Sequence, residues 1–505
     1  MTDIHFEFNR VTFALPTQSF KITAFISAEE RLPAVTEFVL RLLHTCGQVS
    51  LHGFRDYFGF SEAEALSVIE SLSRQGYICL NDDSMSLSEQ SLARFESSPD
   101  DYPWVTKLKK RTDVVQFDLI AFTALRRTDF VFATDNWIKL NPAADVVGSS
   151  VARARQAYRE SFSQIERESS RTRGEERERS YGVHSVENVE ARRPSFIPLT
   201  LTLSVDQTGR YVTTFPEEFE RGAKPELLSA FQERVSEEFE KQRFQEHSGV
   251  EGFIDFFQLD FLRQYVMGSH FDIPKYAADV QRGLLAPKGI QALYGNIYLK
   301  NNAQLVATKI DDARSGTKGF LTNMTSLGWL GPDYRFWGRG ADFKGAIEML
   351  GKALKIGPSG DELYIFDYSE ERQEAAVRAK YSNTGVTELH LLRPEPIGTI
   401  PWANSLELML YPGRFAVALL HLQLDGCPGV RAPIGVLTDN PHHLNLIHRL
   451  ISERTAGRRY AGRWSPNKQG PKNEQMRTMA EACGFLAYSH FDASHSVDLQ
   501  RGLKI

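Results

Sequence analysis

Between residues 342 and 453 the chain alternates two kinds of apolar pattern. Apolar side chains at helical spacing occur at 342–354, 370–381 and 444–453, and strand-like apolar runs occur at 362–366, 388–392, 415–424 and 432–437. Strands that alternate with helices are typical of an α/β layer in which helices connect parallel strands. The sequence therefore predicts a C-terminal α/β domain over residues 285–505 with a mostly parallel sheet.

The first hundred residues predict a hairpin followed by three helices. Apolar and polar side chains alternate from residue 4 to 26, which predicts two strands broken at Pro16. Helical patterns then precede Gly47 and cover 51–57, and a third helix begins at the capping box Ser61-x-x-Glu64 and ends at Gly76. A polar turn at 81–83 between two short apolar runs completes a hairpin wing.

Three helices followed by a wing over residues 28–95 resemble the winged-helix family. In that family the third helix commonly enters the major groove of DNA. Here the third helix carries Glu62, Glu64 and Glu70 with Arg74 as its only cation, and phosphate would repel those carboxylates. The resemblance therefore implies that domain 1–98 docks a protein partner or dimerises in preference to reading DNA.

The centre of the chain changes composition twice. Residues 99–152 combine a basic run at 107–111 with apolar strand-like runs, which predicts a connecting subdomain. In residues 153–193 charges of both signs crowd together with few apolar anchors, which predicts a charged linker, either a solvated helix or a mobile segment. A hairpin and helical patterns then predict a mixed region over 194–284. The expected class is a multidomain α+β protein.

The helix, strand, helix, strand order over residues 343–392 resembles one half of the phospholipase D superfamily. There, a similar unit precedes a His-x-Lys strand whose His attacks phosphorus and whose Lys holds the phosphate oxygens. The corresponding stretch here begins His421-Leu422-Gln423, and none of the thirteen histidines has Lys two residues later. The resemblance therefore implies a degenerate domain without the family's reaction, leaving at most a phosphate-recognising shell.

The charge of the chain is inverted near its C-terminus. The formal net charge is −5, yet residues 449–477 contain eight Arg and Lys against Glu453 and Glu474. Exposed cations interleaved with flat rings suit phosphate backbones and unstacked bases. The predicted nucleic-acid-binding residues are Arg454, Arg458, Arg459, Tyr460, Arg463, Trp464, Lys468 and Lys472. A solvated surface loop has the same composition, so both interpretations stay open.

A second anion site is predicted where a helix begins near Pro441. Asn440 would cap this helix, and with His443 and His421 it is a possible phosphate-binding residue. His443 and His448 are five residues apart and do not stack on one helical face, so no metal is predicted there. Asp333 with Asp342-Phe343-Lys344 resembles a nuclease motif only superficially, because Asp342 is expected to start a helix. No cofactor is predicted.

Cysteine usage and hydropathy favour a soluble, cytoplasmic protein. The four cysteines are scattered without metal-ligand spacing. The sequence begins without a basic patch and apolar run, and no window reaches the roughly 18 apolar residues that span a bilayer. No membrane partner is expected.

These observations predict a nucleic-acid-associated binding or accessory protein. DNA or RNA would bind the basic C-terminal segment, and a protein partner would bind the acidic winged helix. Winged helices joined to degenerate α/β domains resemble accessory subunits of prokaryotic antiviral defence or mobile-element systems. Two alternatives stay open: a phosphodiesterase or nuclease that uses His421, His443 or Asp333, and a protein scaffold.

Overall fold

The fold is known from a computed structural model. It describes residues 4–96, 104–125, 136–142, 144–173, 179–242, 249–284, 286–315, 326–356, 362–369, 374–381, 384, 386, 388–392, 402–455 and 460–464. The helices are α1 (Ala34–Cys46), α2 (Leu51–Phe58), α3 (Glu62–Arg74), α4 (Glu89–Glu96), α5 (Ala144–Gly148), α6 (Ser150–Glu160), α7 (Phe162–Arg173), α8 (Glu217–Gly222), α9 (Pro225–Glu240), α10 (Val250–Phe257), α11 (Ile273–Gln281), α12 (Lys300–Ser315), α13 (Ala341–Leu354), α14 (Glu374–Lys380) and α15 (Pro441–Thr455).

The strands are β1 (His5–Arg31), β2 (Gln48–Ser50), β3 (Ile78–Asn81), β4 (Ser84–Leu87), β5 (Trp104–Asp118), β6 (Ala124–Leu125), β7 (Ile138–Lys139), β8 (Arg179–Ala191), β9 (Ser195–Asp206), β10 (Tyr211–Thr214), β11 (Val266–Met267), β12 (His270–Phe271), β13 (Ile290–Tyr294), β14 (Ser326–Leu330), β15 (Glu362–Tyr368), β16 (Glu388–Leu392), β17 (Leu406–Tyr411), β18 (Phe415–Leu424), β19 (Cys427–Thr438) and β20 (Tyr460–Trp464). Two 3₁₀ turns, Asp260–Tyr265 and Ala403–Ser405, complete the elements described.

The chain divides into two compact units, each drawn from separate stretches of sequence. The larger unit comprises Met1–Pro16, Asp129–Pro142 and Ser195–Ile505, and the smaller unit comprises Thr17–Thr128 and Ala143–Pro194. This division differs from the five consecutive segments predicted, because strand β1 contributes residues to both units.

The hairpin predicted over residues 4–26 is wrong, because β1 is one long strand. Pro16 lies between two ladders: pairing with β7 ends at Ala14, and pairing with β5 begins at Thr17. Its missing N–H group therefore interrupts neither of these ladders. The alternating pattern predicts strand structure correctly, but Pro16 does not end the strand.

One sheet of the smaller unit contains β1 from Thr17 onward, with β5 on one side, β6 beyond β5, and β8 on the other side. Residues 153–193, predicted as a charged linker, form α6, α7 and β8 in their described part. Ala154, Tyr158 and Phe162 are buried at four-residue spacing and give these charged helices an apolar stripe. That stripe is sparse in the sequence, but it anchors the helices on the sheet.

The helical part of the smaller unit has the element order predicted for residues 28–95. Helices α1, α2 and α3 surround a core that includes Leu40, Phe54 and Leu72, and the three-stranded sheet has the order β2, β4, β3. The predicted capping box is present, since Ser61 Oγ accepts from the Glu64 N–H and Glu64 Oε2 accepts from the Ser61 N–H. These contacts fix where α3 begins.

The larger unit contains an eight-stranded sheet in the order β13, β19, β18, β17, β14, β15, β16, β20. Only the β14–β15 and β15–β16 pairs in the described part are parallel, and the other five are antiparallel. The prediction of a mostly parallel sheet is therefore wrong. Strands β17, β18 and β19 are joined by short turns at Gly413 and Gly426, which connect only antiparallel neighbours.

Candidate functional site

The centre of the eight-stranded sheet contains a buried carboxylate, that of Glu407 on β17. Its Oε1 atom accepts hydrogen bonds from the indole N–H groups of Trp329 at 3.1 Å and Trp337 at 3.0 Å. Its Oε2 atom lies 2.8 Å from His421 Nε2 on the neighbouring strand β18. A buried carboxylate is stable only when its oxygens are paired, and these three donors pair both.

His421 is held in one orientation by Glu407. Both side chains have no exposed surface. Burial is the main reason that the pKa of His421 is lowered, although Glu407 opposes that effect. A neutral ring that donates through Nε2 leaves Nδ1 as an acceptor, and Nδ1 has no hydrogen-bond partner among the described residues. In this conformation the ring cannot reach a substrate as a nucleophile.

A second buried ionic group, on β15 and α14, lies beside the first. Lys380 Nζ donates to Asp367 Oδ2 at 3.1 Å and to the carbonyl oxygen of Trp337 at 2.9 Å. The hydroxyl of Tyr381 donates to the same carboxylate oxygen at 2.7 Å. Burial lowers the pKa of Lys380 to about 8, against the opposing influence of Asp367. Trp337 connects the two groups because its N–H binds Glu407 and its carbonyl binds Lys380.

Arg431 on β19 is a buried cation that sequence reasoning missed. It pairs in register with Gln423, the residue at the position of the expected lysine, and its side chain is therefore on the same face of the sheet. Its guanidinium lies 5.3 Å from the ring centre of Tyr334, and it donates to Ser405 Oγ at 3.3 Å. Burial lowers its pKa to about 10. The sequence signal that could have identified Arg431 is an arginine inside an otherwise apolar strand.

The three predicted phosphate-binding residues do not form one site. Asn440 Oδ1 accepts from the His442 N–H at 2.9 Å, as a helix cap does, and His443 Nδ1 lies 3.1 Å from Thr438 Oγ1. Thr438 pairs with Ala416, five residues before His421 along β18, which corresponds to roughly 17 Å. His443 is itself buried, and burial lowers its pKa.

Half of the eight predicted nucleic-acid-binding residues lie outside the described residues, and the side chains of the other half are not described. Arg458, Arg459, Lys468 and Lys472 lie outside them entirely. The backbones of Arg454 in α15 and of Tyr460, Arg463 and Trp464 in β20 are described, but their side chains are not. Strand β20 pairs antiparallel with β16, where Arg463 is opposite His390 and Trp464 is opposite Leu389. The basic segment thus includes the last strand of the sheet.

The nuclease-like residues are separated by their secondary structure. Asp342 lies in the first turn of α13, as expected, and accepts from Arg10 Nη1 at 3.5 Å. Asp333 lies in the loop after β14, where its N–H donates to the carbonyl oxygen of Asn404. Within the described ranges, no group of three or more His, Cys, Asp or Glu side chains could hold a metal ion.

None of the helices in the described part combines the length and apolar character that a membrane crossing requires. No known family model matches the chain, and a search of curated proteins likewise finds no match.

Proposed function

We propose that this chain is a nucleic-acid-binding accessory protein whose basic segment, residues 449–477, contacts the phosphate backbone of DNA or RNA. In this proposal Arg458, Arg459, Arg463 and Lys468 neutralise phosphates, and Tyr460 and Trp464 stack on bases. The accessory role, in a prokaryotic antiviral defence or mobile-element system in the cytoplasm, extends the resemblance noted for the sequence.

The observation that supports this proposal most is the position of β20. It is the terminal strand of the eight-stranded sheet, and among the described strands it has a neighbour only on its β16 side. A strand in that position attaches the basic segment to a rigid sheet. The cations before and after β20 in the sequence are then tethered to that sheet. Anchored cations bind a backbone at a lower entropic cost than cations on a free tail.

The closed centre of the sheet favours binding over catalysis. The alternative of a phosphodiesterase needs a histidine that reaches phosphorus, and His421 is fully enclosed and paired with Glu407. The lysine position holds Gln423, and the nearby Arg431 is itself buried. Glu407 is hydrogen-bonded to Trp329, Trp337 and His421, as in a structural core.

A protein partner at residues 28–95 is the second part of the proposal. Glu62, Glu64 and Glu70 are exposed along α3, so the helix that would meet a DNA groove presents carboxylates to solvent. Like charges would raise the free energy of contact with DNA, whereas a protein surface can complement them.

Filter binding tests the nucleic-acid contact. Purified protein is mixed with labelled single-stranded and double-stranded DNA and RNA, and the Arg458→Ala/Arg459→Ala/Arg463→Ala variant is compared with Arg282→Ala. Arg282 is an exposed cation outside the basic segment, 80% of whose side chain is accessible. The triple variant should lose about 100-fold in affinity near 0.15 M salt, as expected for three lost phosphate contacts. Equal affinities for both variants contradict the proposal.

Incubation of the same nucleic acids with protein and Mg²⁺ or Mn²⁺ tests the enzymatic alternative. The proposal predicts intact substrates over long times. Cleavage that His421→Ala abolishes would instead support the phosphodiesterase. A scaffold would give co-purifying proteins and no bound nucleic acid.

A further inference from the structure

We draw no further inference here: the strongest candidate, the buried side-chain cluster of Asp367, Lys380 and Tyr381 at β15 and the end of α14, belongs to the site already described, where its amine and hydroxyl groups bond to its own carboxylate and to the carbonyl oxygen of Trp337.

Discussion

Replacing Glu407 with glutamine probes the buried centre of the sheet with a change of one atom. The carboxylate accepts from two indole N–H groups and pairs with His421. The amide oxygen of the introduced glutamine can keep the two indole bonds, but they become bonds to a neutral acceptor. The NH₂ group of that amide faces His421 Nε2, so the ring must move its proton to Nδ1, which has no acceptor among the described residues.

The expected cost follows from these contacts. A hydrogen bond to a charged group is worth about 1.5–3 kcal/mol and a neutral one about 1 kcal/mol, and a buried donor without a partner costs about 1–3 kcal/mol. These hydrogen-bond contributions compensate one another in part. We therefore expect Glu407→Gln to lower the free energy of unfolding by roughly 3 kcal/mol. Glu348→Gln, at an exposed carboxylate on α13, should change stability by less than about 0.5 kcal/mol.

Urea unfolding followed by tryptophan fluorescence measures this difference, because Trp329 and Trp337 are the indoles that contact Glu407. The midpoint of the transition should fall for Glu407→Gln with an unchanged slope. If Glu407→Gln and Glu348→Gln unfold at the same urea concentration, the proposed role of Glu407 as the acceptor that organises the sheet centre is refuted.

Three further predictions concern other parts of the chain. Folding lowers the pKa of Lys380 from 10.5 to about 8, so the unfolded chain binds more protons than the folded chain between these pH values. The free energy of unfolding should therefore rise with pH above about 8. Urea midpoints measured across pH 7.5–9.5 should show this rise in the wild type and a flat profile in Lys380→Met. Asp118 accepts four backbone N–H groups and the Thr123 hydroxyl, so Asp118→Asn should destabilise the smaller unit by about 2 kcal/mol, seen as faster hydrogen exchange in residues 118–125. Lys355 ends α13 with a φ of 51°, so Lys355→Gly should raise stability by roughly 0.5–1 kcal/mol in thermal unfolding, and a decrease would contradict the strain assigned there.

Local pattern predicted several elements well. Strands β16 and β18 have the bounds predicted from apolar runs, and the β9–β10 hairpin lies where alternation indicated it. The capping box at Ser61 predicts the start of α3 correctly, because the residues that form a helix cap lie within four positions of one another. These successes share one property: their determinants are adjacent in sequence.

The predictions that failed concern features that are set by contacts between residues far apart in the sequence. Strand β17 was not predicted, although it lies at the centre of the sheet, and the sheet was expected to be mostly parallel. Glu407 and His421 are fourteen residues apart, and the β17–β18 pairing places Glu407 opposite Leu419, so the two side chains are diagonal neighbours on one face. Once that register is known the pair is expected, but nothing local to either residue sets the register.

The dependence of nucleic-acid affinity on salt tests the central claim most directly. With four phosphate contacts from Arg458, Arg459, Arg463 and Lys468, the logarithm of the association constant should fall against the logarithm of salt concentration with a slope of about −3 to −4. Replacing the three arginines with alanine should make that slope shallower by about 2 to 3 units. An affinity that does not change with salt, or an equal slope for the variant, would contradict a phosphate contact made by the basic segment.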